Sequence, residues 1–144
     1  MKIVCIIPAR MGSSRFPGKP LMEISGKAMI KICYENAVNS MAYSKVVVAT
    51  CDNEIKDYCI SNDMDYEMTS NSHERCSSRC LEALLSLENN GENYDSILML
   101  QGDEPLISPV MLKKSAEALQ SGNSEVTNLM TEITNIEEYY DINE

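Results

Sequence analysis

The chain has 144 residues, of which 44% are hydrophobic and 24% are charged, so it is long enough for one domain with a buried core. Its formal net charge of −10 disfavours a general nucleic-acid partner, and no apolar stretch reaches the length of a membrane span. Because the N-terminus lacks a signal-peptide pattern, we expect a cytoplasmic protein whose six cysteines are reduced, mostly buried thiols rather than a disulfide framework.

The charge is unevenly distributed along the chain. Residues 1–31 carry six basic side chains and a single acidic one, Glu23, whereas the remaining residues are strongly acidic. A cationic segment in an acidic chain is typical of a local anion site that attracts one small substrate.

The first apolar run, Ile3 to Ile7, has the length and composition of a buried strand. The loop that follows combines two glycines, Gly12 and Gly18, with three cations, which are Arg10, Arg15 and Lys19. Glycine lets backbone N–H groups approach a phosphate closely, and arginine and lysine supply the charge, so the loop predicts a polyanion site rather than a solvated polar turn.

Two common nucleotide motifs do not fit this loop. Its glycines are separated by five residues instead of four, and Lys19 is followed by Pro20 where a Walker A motif has Ser or Thr. The loop is not Gly-x-Gly-x-x-Gly either, so it is a different kind of phosphate loop.

Further elements follow from hydrophobic periodicity and from capping residues. Helices are predicted over residues 28–41, from a cap at Asp52 or Asn53 through Ile60, over about 73–88, and from Pro109 through Leu119 to a stop at Gly122. Strands are predicted over residues 45–50, 65–68, 96–100 and 124–130, and a short helical turn over 136–140.

The alternation of strands with helices predicts a three-layer α/β/α fold with a mostly parallel sheet. Ligands of such sheets bind beyond the carboxyl ends of the strands. The cationic loop and the segment Gln101–Pro105 both follow predicted strands, so we expect them to meet over one crevice.

Asp103 and Glu104 stand at the end of the predicted strand over residues 96–100. Alone they fit a solvated turn almost as well as a metal site, but opposite a cationic loop a carboxylate predicts Mg²⁺ shared with substrate phosphates. A metal site made by His73, Cys76 and Cys80 is a weaker alternative, because the cysteines continue into Leu84 and Leu87 as an apolar stripe typical of a core.

Two motifs carry a family resemblance. The segment from Ile7 to Leu21, Ile-Pro-Ala-Arg-Met-Gly-Ser-Ser-Arg-Phe-Pro-Gly-Lys-Pro-Leu, resembles the N-terminal signature of sugar-activating cytidylyltransferases. The segment Leu100–Ile107, Leu-Gln-Gly-Asp-Glu-Pro-Leu-Ile, resembles the 3-deoxy-manno-octulosonate cytidylyltransferases (CMP-Kdo synthetases) in particular. The order of Val47–Thr50 and His73–Arg79 between these segments agrees with that family.

The resemblance implies a Rossmann-like, GT-A-like nucleotidyltransferase fold, with residues 1–144 as the nucleotide-binding N-terminal portion of one domain. It implies transfer of a cytidylyl group from CTP to an acidic sugar, with pyrophosphate as leaving group, Mg²⁺ as cofactor and a homodimer at full length. Arg10, Lys19 and Asp103 would be catalytic, and Asp103 would hold the metal. The nucleotide would contact Pro8, Ala9, Arg10, Met11, Gly12, Ser13, Arg15, Lys19, Ser77, Arg79 and Gln101.

This chain departs from the family pattern at three positions. Cys76 and Ser78 replace a glycine and an acidic residue, and Cys51 precedes Asp52 where the family has Asp directly after Ala-Thr. The acceptor is therefore left open between 3-deoxy-manno-octulosonate, a sialic-acid-like sugar and a phosphonate. Two further alternatives are a fragment that only binds nucleotide and a GT-A-type glycosyltransferase, which would usually carry Asp-x-Asp where this chain has Gly102-Asp103-Glu104.

Overall fold

The computed structural model describes residues 1–12, 16–130 and 132. Among these residues, six strands are formed: β1 (Ile3–Ala9), β2 (Glu23–Ile24), β3 (Lys27–Ala28), β4 (Lys45–Thr50), β5 (Tyr66–Met68) and β6 (Ser96–Met99). The same part of the chain forms four α-helices: α1 (Met29–Asn39), α2 (Asn53–Ser61), α3 (Cys76–Asn89) and α4 (Pro109–Gln120). A short 3-10 turn spans Lys19–Leu21.

The main sheet has four parallel strands in the order β5-β4-β1-β6. β1 is central and buried along its whole length, which explains its unbroken apolar sequence. The chain adds β4 and β5 on one side of β1 and then returns to add β6 on the other, so the strand order reverses at β1. A crevice forms at the carboxyl end of the strand where the order reverses.

Helices cover both faces of this sheet, which confirms the predicted three-layer architecture. On one face, α1, α2 and α4 bury Ile30, Ile55 and Leu112 against β1 and β4. On the other face, α3 packs Ala83 and Leu87 against the sheet. Each fully buried aliphatic side chain of this kind stabilises the fold by about 1.5–3 kcal/mol.

Most predicted elements are confirmed within one or two residues, and β4 has the predicted bounds. α3 begins three residues later than predicted, because Arg75 at its N-cap position is extended (φ −111°, ψ 144°). The hairpin β2–β3 was not predicted. Its two-residue turn places Ser25 and Gly26 at positive φ, as a type I′ turn requires, but its strands are too short to show a period in the sequence.

The strand predicted over residues 124–130 is wrong. The segment is irregular and turns back on α4, where the Thr127 hydroxyl donates to the Ser115 carbonyl at 3.3 Å. Its apolar residues Val126 and Met130 are 81% and 90% exposed, so neither sheet face buries them. The helical turn predicted over 136–140 lies outside the described residues. In the described part of the chain, no helix is both long and apolar enough to cross a membrane.

Candidate active site

Four connections converge at the carboxyl edge of the main sheet. Arg10 follows β1, Asp52 follows β4, the loop 69–75 follows β5 and the segment 100–103 follows β6. Because all four strands are parallel and adjacent, these segments must leave the sheet at the same edge. This is the crevice that the sequence predicts.

Lys19 and Asp103 are in contact across this crevice. The Lys19 ammonium donates to Asp103 Oδ2 at 2.8 Å, joining the loop after β1 to the turn after β6 over 84 positions of sequence. Both side chains keep access to solvent, with 38% of Lys19 and 44% of Asp103 exposed. Both charges are therefore accessible to a ligand. In the arrangement seen here, each charge neutralises the other.

The loop after β1 closes on itself at Met11. The Gly18 N–H donates to the Met11 carbonyl at 2.9 Å, and the Met11 N–H donates to Asp52 Oδ2 at 2.7 Å. Gly18 has φ +76°, which strongly favours glycine. The two predicted loop residues Ser13 and Arg15 lie outside the described residues.

A small cleft of about 60 Å³ opens between the end of β1 and the start of α3. It is lined by the predicted residues Pro8, Ala9, Arg10 and Arg79 together with His73, Glu74, Arg75 and Cys76. Three arginines among these residues make it a cationic cleft. It is continuous in sequence with the loop after β1 through Arg10.

Two residues of α3 hold the loop 69–75 that forms the far wall of this cleft. Arg79 is only 3% exposed, and its Nη1 donates to the Thr69 hydroxyl and the Ser70 carbonyl. The Glu82 carboxylate accepts the Ser70 N–H at 3.0 Å and also accepts from His73 Nε2. Loop and helix are thus joined through both backbone and side-chain atoms.

Both ring nitrogens of His73 have hydrogen-bond partners. Nδ1 lies 3.1 Å from the Ser78 hydroxyl, which also donates to the Arg75 carbonyl at 2.9 Å. Nε2 contacts the Glu82 carboxylate. A carboxylate only accepts, so Nε2 is the nitrogen that donates to Glu82.

We expect this loop to loosen in acid. The hydrogen bond from His73, and then that from the Ser70 N–H, hold the pKa of Glu82 below its ordinary value of 4.5. A lowered pKa in the folded state means that the contact stabilises the loop above pH 4.5 and is lost as pH falls through the lower folded value. Amide exchange of residues 69–75, measured from pH 6 downwards and corrected for intrinsic rates, should show this loss.

The Glu82→Gln variant should flatten that acid dependence, whereas Glu88→Gln, an exposed substitution on the same helix, should leave it unchanged. A loop whose protection falls equally steeply in Glu82→Gln would contradict the assignment.

The six cysteines are all free. The prediction that Cys76 belongs to the apolar core stripe is wrong, because Cys76 is exposed while Cys80 is buried. Cys76 begins α3 beyond the carboxyl ends of the neighbouring strands, so it faces the cleft instead of the sheet. The described residues contain no cluster of three ligands suited to a metal, which disfavours a site made by His73, Cys76 and Cys80.

Alkylation of the folded chain should therefore be selective. Burial raises the pKa of Cys33 and Cys59 to about 11 and that of Cys80 to about 12, and it raises the pKa of Cys5 further. We expect iodoacetamide at pH 8 to label Cys76 about tenfold faster than these four thiols, or more, because thiolate content and access control the rate. Peptide mass spectrometry measures the order, and Cys80 labelling as fast as Cys76 would contradict it.

The remaining predicted residues are placed as follows. Gln101 is exposed, and its carbonyl accepts the Glu104 N–H in the turn that presents Asp103. Gly12 is exposed in the loop after β1, and Ser77 is exposed on the first turn of α3, apart from the residues that line the cleft. The roles of these residues stay predictions.

Sequence reasoning missed Asp52, Glu82 and Ser70 as parts of the site. The sequence presents Asp52 as a candidate helix cap and as a displaced counterpart of the aspartate that the family has after Ala-Thr. It does occupy the N-cap position of α2, but its side chain makes no capping bond. No sequence signal distinguishes an aspartate that caps its own helix from one that binds a distant loop.

A larger cavity, of about 220 Å³, lies away from this site. It is lined by Ile3, Ser96, Leu119 and neighbouring residues, and therefore lies at the amino ends of β1 and β6. Its lining is mostly apolar with one carboxylate, Glu125. Size alone does not make it the functional site, because substrates of parallel α/β sheets bind at the opposite edge.

Comparisons with known proteins agree with this geometry. The family model described as cytidylyltransferase matches residues 4–144. The 3-deoxy-manno-octulosonate cytidylyltransferase of Coxiella burnetii is 41% identical over 141 residues, covering 97% of this chain and 55% of that protein. The mitochondrial protein of the same name from Arabidopsis thaliana is 44% identical over 119 residues, covering 83% of this chain and 40% of the relative.

A solved structure is also similar. The CMP:2-keto-3-deoxy-manno-octonic acid synthetase complexed with CTP superposes with a TM-score of 0.77 at 36% identity, covering 84% of this chain and 48% of that one. The chain thus spans about half the length of the relatives it matches. The family model covers nearly all of it, however, and the cationic loop, the carboxylate turn and the parallel sheet occur together, so the chain belongs to the cytidylyltransferase family.

Proposed function

We propose that this chain binds CTP in the crevice at the carboxyl edge of its sheet, as part of an enzyme that transfers the cytidylyl group to 3-deoxy-manno-octulosonate and releases pyrophosphate. The observation that carries the proposal is the 2.8 Å contact between Lys19 and Asp103, which brings a phosphate-binding cation and a carboxylate to one point. The relatives named for this reaction, and the related synthetase solved with CTP, support it.

The residues of the chain fit this reaction by position and charge. The Lys19 ammonium and the Arg10 guanidinium would neutralise charge on the β- and γ-phosphates, because charge-assisted hydrogen bonds to phosphate are the strong ones. Pro8, Ala9 and Arg79 would line the nucleoside side of the site, and Gln101 would contact the nucleotide from the turn after β6. Positioning of the phosphates, together with neutralisation of their charge, supplies most of the catalysis expected of phosphoryl transfer.

We propose Mg²⁺ as the cofactor, on the chemistry of the donor set. Asp103 offers a single exposed carboxylate at a strand end, and Mg²⁺ is usually held by one or two carboxylates together with substrate phosphates. The residues therefore fit a cation that arrives with the nucleotide, held here by Asp103. When bound, the ion would polarise the α-phosphoryl group and offset charge on the phosphates.

We further propose that residues 1–144 form the nucleotide-binding part of one cytidylyltransferase domain and function in the cytoplasm, where six free thiols would stay reduced. A homodimer at full length, and the absence of a nucleic-acid partner, stay predictions. The acidic net charge of −10 supports the second of these.

One experiment tests the function. The chain is titrated with CTP by calorimetry, and pyrophosphate release is then measured with CTP, Mg²⁺ and a panel of acceptors. CTP binding with release on 3-deoxy-manno-octulosonate supports the full proposal, and release only on a sialic-acid-like sugar or a phosphonate changes the acceptor. Binding without release leaves a nucleotide-binding module. Sugar transfer from a nucleotide-sugar would point to a glycosyltransferase, and absence of CTP binding would refute the proposal.

A further inference from the structure

We propose that Asp52 is a positioning residue that fixes the base of the phosphate loop, where Met11 meets Gly18, through the backbone of Met11. The proposal rests on the proposed function, because it concerns how the chain presents its cations to CTP. Asp52 is 41 positions away from Met11 in sequence and belongs to a different strand connection.

The backbone N–H and the backbone carbonyl of Met11 are both hydrogen-bonded to other segments of the chain. Asp52 Oδ2 accepts the Met11 N–H at 2.7 Å, and the Met11 carbonyl accepts the Gly18 N–H at 2.9 Å. These two bonds form the neck of an eight-residue loop whose ends meet at Met11 and Gly18. Arg10 directly precedes this neck and Lys19 directly follows it, so the neck fixes the backbone from which both cations extend.

Asp52 is itself firmly placed. Its N–H donates to the Thr50 hydroxyl at 3.1 Å, and Thr50 is completely buried at the end of β4. The Asp52 carbonyl accepts the Lys56 N–H at 3.1 Å in the first turn of α2. The carboxylate is thus supported by the end of a central strand, and it ties the Met11 end of the loop to that strand.

The side chain acts as an acceptor, and its charge is not needed for this role. A negative group beside a triphosphate site repels the ligand, so a residue chosen only for electrostatics would not be an acid here. Asp52 also makes no capping bond to α2; among the described residues, its carboxylate accepts from the Met11 N–H and from the Cys51 thiol at 3.7 Å. Asparagine can accept the same N–H without the charge.

Three variants and two measurements test the proposal. We expect Asp52→Ala to raise the dissociation constant of CTP about tenfold, because a loosened neck must be ordered on binding. Asp52→Asn should stay within about threefold of the wild type, since it keeps the acceptor. Asp57→Asn, the same charge change at an exposed position of α2, is the matched control and should have no effect.

Amide exchange at Met11 and Gly18 in the ligand-free chain is the second measurement. Protection should fall in Asp52→Ala and persist in Asp52→Asn, whether or not CTP binds. If the wild type fails to bind CTP, the proposed function fails while the exchange data still decide whether Asp52 holds the neck. Unchanged exchange and affinity in Asp52→Ala overturn the proposal. Equal losses in Asp52→Asn and Asp52→Ala also overturn it, because they would assign the effect to charge.

Discussion

Lys19→Ala should raise the dissociation constant of CTP about 10- to 100-fold while leaving the fold intact, because a charge-assisted hydrogen bond to phosphate contributes about 1.5–3 kcal/mol. The fold should tolerate the change, since the Lys19–Asp103 ion pair is exposed and such pairs stabilise proteins by about 0–1 kcal/mol. Calorimetric titration with CTP and thermal unfolding of the same samples measure the two effects separately.

Lys27→Ala is the matched control for this variant. Lys27 is also an exposed lysine in an ion pair, with its ammonium 2.7 Å from Glu35, but it lies in β3 and not in any of the four connections that converge on the crevice. We expect it to leave CTP affinity unchanged. Equal effects of the two variants would mean that general charge, rather than the position of Lys19, drives binding. Where the chain supports turnover, pyrophosphate release should fall with Lys19→Ala by orders of magnitude.

Arg79→Ala should reduce both stability and nucleotide affinity. We expect a loss of about 2–4 kcal/mol in the free energy of unfolding, because a buried guanidinium contributes charge-assisted hydrogen bonds and the packing of its stem. The residue is 3% exposed, and its Nη1 bonds both the Thr69 hydroxyl and the Ser70 carbonyl. Loss of these contacts frees the loop that forms one wall of the cleft. Urea unfolding and CTP titration provide the readouts.

Two further variants separate the possible causes. Arg79→Lys keeps the charge but not the planar fork, so its stability should be intermediate. Arg75→Ala removes an exposed arginine that lines the same cleft, and it should change the unfolding free energy by less than about 0.5 kcal/mol. If Arg75→Ala destabilises the chain as much as Arg79→Ala, the bonds to Thr69 and Ser70 are not what stabilises this region.

The arginine and the lysine contribute in different ways. Lys19 is exposed and adds little to folding, so its effect should appear almost entirely in ligand binding. Arg79 is buried and holds a loop, so its effect should appear first in stability and only then in affinity. A side chain that lines a cleft is therefore not necessarily a ligand contact. Its burial and its existing bonds decide how a variant should be interpreted.

The sequence alone is enough to predict the four strands of the main sheet, the helices that flank it and the edge where we propose that the nucleotide binds. β1 is apolar over its whole length, and β4 is apolar from Val46 to Ala49, because both faces of these strands are covered, and that pattern can be recognised without a structure. The spacing of apolar residues within the helices is also a local pattern, and so are the proline that begins a helix and the glycine that ends one. The predicted meeting of the cationic loop with Asp103 also needed only the rule that parallel strands end at one edge.

Which polar side chains support that edge depends on tertiary contacts. Asp52 has the position of a helix cap, yet it binds the Met11 N–H, and Glu82 joins His73 and Ser70 from one turn along α3. Cys76 continues a helical stripe in sequence, yet it is exposed because the sheet ends before it. Periodicity reports which face of an element is apolar. Hydrogen bonds between distant segments depend on where the elements end in space, which no local pattern encodes.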